Sequence, residues 1–365
     1  MKIFDKNEVN TGRQAEFDIA KAVCIIGMVI VHAFEITALS QTGLNYAFTV
    51  VLNYLFGAGT FMLCMGMGIV YGKSEPKFLI RRGAVIILIG FLLNLVRSGL
   101  PRLVIYFTNP SAENLNLFKY ALLNIDILPF AGLALILFGI AKILKLGDGV
   151  IGASAVLLSA SGTFLRGKNL GSFEINQLAG LFFGTNFPGR ETTTCFPLLN
   201  WFIFVAAGYL FAKVLKRCCN KGLFYGIVSP IAAAVVTVYM IVCIPQRRGM
   251  MSGDMNLYYH IGTSDALIVI CAAIAAIGLY YALSRVMSQK LIAAATWLSK
   301  AINIIYCVHW VLIIWTWYPL YYSLNINGFG DLFVFIYAAL IMALSLIFAV
   351  YYLSVKHGRV KHGSK

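Results

Sequence analysis

The chain has 365 residues, of which 60% are hydrophobic and 12% are charged, and its formal net charge is +15. This composition excludes a soluble protein with separable domains, because too few charged side chains remain to cover a water-facing surface. The eight cysteines lie mostly within apolar stretches and lack the CxxC or His-rich spacing of metal sites. They therefore predict neither a disulfide framework nor a zinc site.

Ten apolar stretches follow one another, each close to the roughly 20 residues that a membrane-spanning helix requires. They lie near residues 17–38, 48–72, 80–98, 122–144, 149–165, 196–215, 223–244, 264–284, 302–322 and 331–354. They predict an all-α, polytopic membrane helix bundle of about ten transmembrane helices, forming a single domain over residues 1–365. The first stretch has full spanning length and no clear cleavage site, so we expect it to remain as a helix.

The basic residues are distributed unevenly between the two sides of such a bundle. With the N-terminus placed in the cytoplasm, cytoplasmic segments hold 20 of the 29 Lys and Arg residues, and outer segments hold eight. Cytoplasmic loops of membrane proteins carry such an excess. We therefore expect both termini to be cytoplasmic, and the positive net charge requires no nucleic-acid partner.

The first predicted helix carries several polar residues on one face. In FDIAKAVCIIGMVIVHAFE, spacings of three and four align Asp18, Lys21, His32 and Glu35. Charges within a span cost about 2.5–3.5 kcal/mol each on insertion scales, so this face should look into the bundle. Asp18 and His32 are 14 residues apart, about 21 Å, which puts the histidine in the outer half of the membrane core. Glu35 lies one turn beyond and could orient the imidazole for general-base catalysis; a structural histidine is the alternative.

Three cations mark the start of the third predicted span: Lys77, Arg81 and Arg82. Together with Lys21 they could clamp the phosphates of a cytosolic donor such as coenzyme A. Binding of anionic lipid headgroups would use the same residues. The sequence leaves both alternatives open.

Further polar residues lie within or beside later spans. They are Asp126 in NIDILPF, Asn200 and Trp201 in FPLLNW, His260 in the outer loop 245–263, and Asn303, Tyr306 and His309 in LSKAINIIYCVHW. Each could line a cavity for a ligand. Hydrogen bonding between helices, or a solvated connector for the loop residue, is the alternative.

The stretch GMGIVYG, from Gly66 to Gly72, resembles a dinucleotide-binding glycine pattern. It lies inside an apolar span with no strand before it, so it predicts close helix packing instead. The expected small-residue pair is Gly68 and Gly72.

From Arg13 through FDIAKAVCIIGMVIVH, the chain resembles the transmembrane acyltransferase superfamily, which includes the acyltransferase-3 proteins and relatives of heparan-alpha-glucosaminide N-acetyltransferase. Asp18, Lys21 and His32 reproduce the spacing of the family's helix-one pattern. The pair Arg81-Arg82 and the segments IDILPFAGLAL, FPLLNWFIFVAAGYLF and LSKAINIIYCVHW extend the resemblance over nearly the whole chain. Lys21 stands where arginine is commoner, and Ala22 stands where glycine is usual.

The resemblance implies an acyltransferase that moves an acyl group, most often acetyl, from cytosolic acyl-CoA to a hydroxyl or amine of a cell-envelope glycan or glycolipid. His32 would be the catalytic histidine, acting on the acceptor as a base or carrying the acyl group transiently, with Glu35 and Asp18 also in the catalytic set and no metal involved. The residues expected to hold acetyl-CoA are cationic: Lys21, Lys77, Arg81 and Arg82. The residues expected to bind the acceptor lie in later segments: Asp126, Asn200, Trp201, His260 and His309.

The resemblance also implies a setting and partners. We expect the plasma (inner) membrane of a bacterium, with acyl-CoA, the glycan or glycolipid acceptor and the lipid bilayer as partners, and a homodimer as an option. Relatives of the lysosomal N-acetyltransferase often carry Asn at the position of His32. The histidine in this chain therefore favours the O-acetylating branch. The segment FPLLNW favours the N-acetylating branch instead, so the sequence does not decide which acceptor is used.

Two other functions are compatible with the sequence. A polar stripe through a bundle is also typical of a proton-coupled transporter, or of a flippase for a lipid-linked or small polar solute. That function predicts broken helices paired between two halves, whereas the sequence offers only soft interruptions such as Pro129 and Pro230. A regulatory membrane protein that has lost catalysis is the third alternative, and the intact His32 argues against it.

Overall fold

The computed structural model describes residues 2–39, 57–186, 194–252 and 254–362 of the chain. Within these ranges the secondary structure is helical, with a few isolated β-bridges. The α-helices are α1 Ala15–Thr37, α2 Ala58–Tyr71, α3 Pro76–Asn94, α4 Leu100–Thr108, α5 Ala112–Leu122, α6 Ile127–Ile143, α7 Asp148–Leu165, α8 Phe173–Ala179, α9 Leu198–Lys216, α10 Lys221–Gln246, α11 Met255–Tyr259, α12 Thr263–Ser284, α13 Gln289–Leu324 and α14 Asp331–His362.

Eight segments of the described chain are long and apolar enough to cross a membrane. They are Ala15–Thr37, Pro76–Thr108, Asp148–Leu165, Leu198–Lys216, Lys221–Ser252, Thr263–Ser284, Gln289–Leu324 and Asp331–Lys356, with α2 and α6 as shorter apolar helices. Each of the ten predicted spans corresponds to one of these segments, although residues 48–56 of the second lie outside the described residues. The polytopic helical bundle is thus confirmed, and the orientation of its termini stays a prediction.

The outer surface of the bundle is apolar. Exposed side chains include Leu157 of α7, Val238 and Ile241 of α10, and Leu340 and Ile347 of α14. A soluble monomer rarely exposes contiguous apolar patches of this extent, whereas a lipid-facing helix requires them. Because the exterior is apolar, we expect the polar residues of the spans to lie in the interior of the bundle.

Helix α1 lies against several neighbours in the bundle. It packs against α13, α14, α12 and α2, while α3 runs along α6 and α2 runs along α9. The interior bounded by α1, α2, α3, α6 and α13 contains the polar face that the first span predicts. This arrangement positions the candidate site.

The α2–α9 pair packs with backbone against backbone. A Cβ atom on Gly66 would collide with the carbonyl oxygen of Val205, and one on Gly208 would collide with that of Leu63. The predicted close packing in this stretch is confirmed, but the predicted pair is wrong. Gly68 has no atom of another element within 4 Å of such a Cβ, and Gly72 is the C-cap of α2.

A π-helical turn, Leu95–Gly99, joins α3 to α4. Such turns insert one extra residue into an α-helix and are frequent at functional sites. Arg97 lies within the turn and is 3% exposed. The turn therefore holds a charged side chain inside the bundle.

Candidate active site

An interior cavity of about 240 Å³ lies between α1, α2, the π-helical turn, the start of α6 and α13. His32 and Glu35 line it from α1, and Arg97, Asp126 and Tyr306 line it from the other elements. We call it the histidine cavity. Its small volume suits the reacting end of a substrate better than a whole lipid.

His32 is paired with a second histidine. Its Nδ1 lies 2.9 Å from Nε2 of His309, and the two rings are within 8° of parallel. His309 Nδ1 in turn lies 2.9 Å from the carbonyl oxygen of Ile305. The ring of Trp310 stacks on His32 with the centroids 4.1 Å apart. The sequence predicts Glu35 as the group that orients the His32 ring. In the structure, the partner of His32 Nδ1 is His309.

A buried ion pair forms a second part of the wall. Arg97 Nη1 donates to Asp126 Oδ2 at 2.8 Å, and Arg97 Nη2 donates to Asn94 Oδ1 at 3.1 Å. Tyr306 donates its hydroxyl to the same Asp126 oxygen at 2.9 Å. Asp126 also caps α6, because its Oδ1 accepts from the backbone N–H of Ile127 at 2.7 Å. These bonds fix the charges in place in a low-dielectric wall, where each bond is strong and an unpaired group is costly.

Two polar atoms in this wall are without a hydrogen-bond partner among the described residues. They are Oδ1 of Asn124, an acceptor, and Nε1 of Trp310, a donor, and both are buried. Both residues line the histidine cavity. Buried polar groups in native proteins are normally satisfied, so these two atoms can bond to a water molecule or to a polar ligand in the cavity.

A second cavity of about 310 Å³ adjoins the first. Its lining includes four cationic residues, Lys21, Lys73, Arg82 and Lys300. We call it the cation cavity. Phe61 and Ile127 line both cavities, so the two meet at these side chains. Lys21 and His32 are 11 residues apart on α1, about 17 Å, so the two cavities together extend along much of a span.

Only part of the predicted cationic set lines the cation cavity. Lys21 and Arg82 do, whereas the exposed Lys77 and Arg81 do not. Lys73 and Lys300 complete the set and were not predicted as ligands. Spacing on α3 alone could not reveal them, because they come from the end of α2 and from α13.

Asp18 is separated from His32. It accepts a 2.8 Å hydrogen bond from Arg13 and a 3.2 Å hydrogen bond from Thr296, and it lines neither cavity. The structure therefore does not bring Asp18 to His32, and a catalytic role for Asp18 stays a prediction. The bond from Thr296 joins the start of α1 to α13, and the bond from Arg13 is local to the start of α1.

Three predicted acceptor-binding residues lie behind the cavity wall. Asn200 Nδ2 donates to the carbonyl of Ile261 at 2.9 Å, and Trp201 Nε1 donates to the carbonyl of Tyr259 at 2.6 Å. His260 Nε2 lies 2.9 Å from the carbonyl of Thr194. None of Asn200, Trp201 and His260 lines the histidine cavity, but Tyr259 does. The hydrogen bonds of these side chains hold the segment that carries Tyr259, and direct contact with an acceptor stays a prediction.

Asp126 and His309 differ in their relation to the histidine cavity. Asp126 lines it, and its role at an acceptor stays a prediction. His309 is 0% exposed, is not part of the lining and contacts His32. Arg97 is the largest omission of the sequence analysis. The signal available was its position at the end of an apolar run, since a charge there is a candidate functional residue.

Comparison with known proteins gives a family. The model of the heparan-alpha-glucosaminide N-acetyltransferase catalytic domain matches residues 13–223, more than half of the chain. No curated protein and no solved structure matches the chain. The matched range includes His32, Arg82, Arg97 and Asp126, and His309 lies beyond it. The chain therefore belongs to the heparan-alpha-glucosaminide N-acetyltransferase catalytic family, a family of membrane acetyltransferases.

Proposed function

We propose that this protein transfers an acetyl group from acetyl-CoA to a hydroxyl or amine of a cell-envelope glycan or glycolipid, with His32 as the base. The observation that carries the proposal is the pair of cavities that meet at Phe61 and Ile127. One cavity has four cations, and the other has a histidine, two carboxylates and an arginine. Donor and acceptor would enter different cavities and react at their junction.

The chemistry of the cation cavity supports coenzyme A as the donor carrier. Its phosphates are anionic, and ammonium and guanidinium groups bind phosphate strongly. Lys73, Arg82 and Lys300 are exposed residues, so a polar head group can reach them. The remaining lining, such as Met65, Ile86 and Leu135, is apolar and suits the flexible arm that carries the thioester. The thioester would then lie at the junction.

The transfer step follows from the groups around the histidine cavity. The acceptor oxygen or nitrogen attacks the thioester carbonyl carbon while its proton passes to Nε2 of His32. The tetrahedral intermediate collapses with cleavage of the carbon–sulfur bond, and the departing thiolate takes the proton back from His32. General-base assistance of this kind accelerates reactions by about 10²–10⁴-fold.

Arg97 supports the same step electrostatically. Its contacts with Asp126 and Asn94 use two of the five N–H groups of a guanidinium, and the side chain lines the cavity. A guanidinium in this position can stabilise negative charge on the carbonyl oxygen in the transition state. The stacked ring of Trp310 shields His32 on one face, which limits water access and thus thioester hydrolysis.

Binding and slow hydrolysis of radiolabelled acetyl-CoA by the purified protein would test the proposal without knowledge of the acceptor. We expect saturable binding by the wild-type protein. His32→Ala should retain binding and lose about 10²-fold or more of turnover. Absence of binding by the wild-type protein would contradict the proposal and favour the transport alternative.

The cations offer a matched comparison. Lys21→Ala/Arg82→Ala removes two charges from the cation cavity, whereas Lys77→Ala/Arg81→Ala removes two charges from beside it. Charge-assisted hydrogen bonds contribute about 1.5–3 kcal/mol each, so the first variant should weaken acetyl-CoA binding by at least about tenfold. The second should change binding little. An equal loss in both variants would mean that the positive surface, and not the cavity, attracts the donor.

A further inference from the structure

The hydrogen bonds around the two histidines determine where their protons lie. The carbonyl oxygen of Ile305 can only accept, so the 2.9 Å contact requires a proton on Nδ1 of His309. In neutral imidazole one ring nitrogen carries the proton and the other accepts. Nε2 of a neutral His309 is therefore an acceptor.

The same reasoning extends to His32. The 2.9 Å contact between the two rings then requires His32 to donate from Nδ1 to Nε2 of His309. Their nearly parallel planes allow this bond to lie in the plane of both rings, where the nitrogen lone pair points. A neutral His32 with its proton on Nδ1 has a bare Nε2, which is the nitrogen that can take a proton from an acceptor.

We propose that His309 is a positioning residue that fixes His32 as the Nδ1–H tautomer and leaves Nε2 as the base. When His32 takes the acceptor proton, the same hydrogen bond stabilises the imidazolium, and it persists when the proton is returned. The tautomer assignment rests on the geometry alone, and its catalytic consequence rests on the proposed function.

The surroundings of His309 exclude a direct role at the acceptor. The residue is 0% exposed and does not line the histidine cavity. Its ring lies edge-to-face with Tyr306, whose hydroxyl is bonded to Asp126. The backbone carbonyl of Ile305, one turn earlier on α13, fixes its orientation. His309 therefore acts on the reaction through His32.

Two substitutions separate positioning from packing. His309→Gln places a carboxamide oxygen near the position of Nε2 and retains an acceptor for His32. His309→Leu has a similar shape without an acceptor. We expect Gln to keep turnover within about tenfold of wild type, and Leu to lose about 10²-fold or more in kcat with little change in KM. The proposal would be overturned if His309→Leu kept the turnover of the wild type, or if this variant changed only KM and not kcat.

A second measurement is independent of catalysis. The chain has five histidines, so nitrogen-15 labelling of histidine gives a simple spectrum, in which His32→Ala identifies the His32 signals. We expect His32 to show a protonated Nδ1 and a bare Nε2 in the wild type, and a mixture of tautomers in His309→Leu. A protonated Nε2 on neutral His32 in the wild type would contradict the proposal even in an active enzyme. If His32 shows the expected tautomer but the wild-type protein has no activity, the positioning by His309 still holds and the proposed function is refuted instead.

Discussion

Arg97 and Asp126 form an ion pair inside the bundle, with Nη1 of the arginine 2.8 Å from Oδ2 of the aspartate and both side chains largely shielded. The pair connects the π-helical turn to the N-terminus of α6. Removal of one partner from a buried pair leaves an uncompensated charge in a low-dielectric interior. The pair therefore has a structural role as well as the proposed catalytic one, and substitutions can separate the two.

We predict that Asp126→Asn and Arg97→Met each lower the free energy of unfolding by about 3–5 kcal/mol, because each leaves a buried charge unpaired. The double variant should recover part of this stability, since no charge is left alone. Acetyl transfer should remain lost in both variants that lack Arg97. Melting temperature in detergent and acetyl-CoA turnover are the measurements. A double variant less stable than either single variant would contradict the buried-pair explanation.

The α2–α9 contact gives a second prediction. Gly66→Ala should destabilise the protein by about 1–3 kcal/mol, because the added methyl group meets the backbone at Val205 and not a movable side chain. Gly68→Ala is the matched control on the same helix, since a Cβ there meets no atom of another element within 4 Å. The control should raise stability by up to about 1 kcal/mol through helix propensity. Similar melting temperatures for both variants would argue against the close approach.

Phe61 lies where the histidine cavity and the cation cavity meet, because its side chain lines both. Phe61→Ala should join them into a wider space. We expect this variant to hydrolyse acetyl-CoA faster in the absence of acceptor, and to use propionyl-CoA and butyryl-CoA better relative to acetyl-CoA. Phe61→Leu, which keeps more of the volume, should lie between wild type and Ala. An unchanged acyl preference in Phe61→Ala would show that the junction does not select chain length.

His260 gives a prediction about pH. Burial lowers the pKa of His260 below its ordinary value of 6.5, while its hydrogen bond to the Thr194 carbonyl acts in the opposite direction. A histidine whose pKa is lower in the folded state stabilises the fold above its unfolded pKa, and this contribution is lost as the pH falls through the folded pKa. Melting temperature should therefore fall on acidification from about pH 8 to about pH 5, and less steeply in His260→Gln. Parallel curves for the two proteins would refute this role.

Much of the fold follows from the sequence because lipid imposes one simple rule. Backbone polar groups must be satisfied within each span, so a long apolar run becomes a helix. The polar face of α1 follows from periodicity in the same way, and both His32 and Glu35 line the histidine cavity as that face requires. The contact between α2 and α9 was less predictable. Several glycines in this stretch are equally small, and only the position of the partner helix determines that Gly66 is the one in contact.

The site itself was predicted only in part. His32 and His309 are 277 residues apart in sequence, and helix periodicity does not tell which helices become neighbours. Glu35 was the nearer partner in sequence, so it was the natural prediction for the group that orients His32. Arg97 lies near the end of a predicted span. Its burial depends on a π-helical turn, which no pattern of residues in the sequence predicts. Asn200 and Trp201 were expected to bind an acceptor, whereas the partners of their side chains in the structure are the backbone carbonyls of Ile261 and Tyr259, which are far away in sequence.

The π-helical turn also affects how this stretch of sequence should be aligned with relatives. One additional residue shifts the helical phase by about 100°, so α3 and α4 follow two different repeats on either side of the turn. A relative with an uninterrupted helix would need a one-residue gap there, and an arginine in the same alignment column could face lipid. Deletion of a single residue between positions 95 and 99 would have the same effect in this chain. The inward position of Arg97 is thus encoded by the number of residues in the helix as much as by the identity of the side chain.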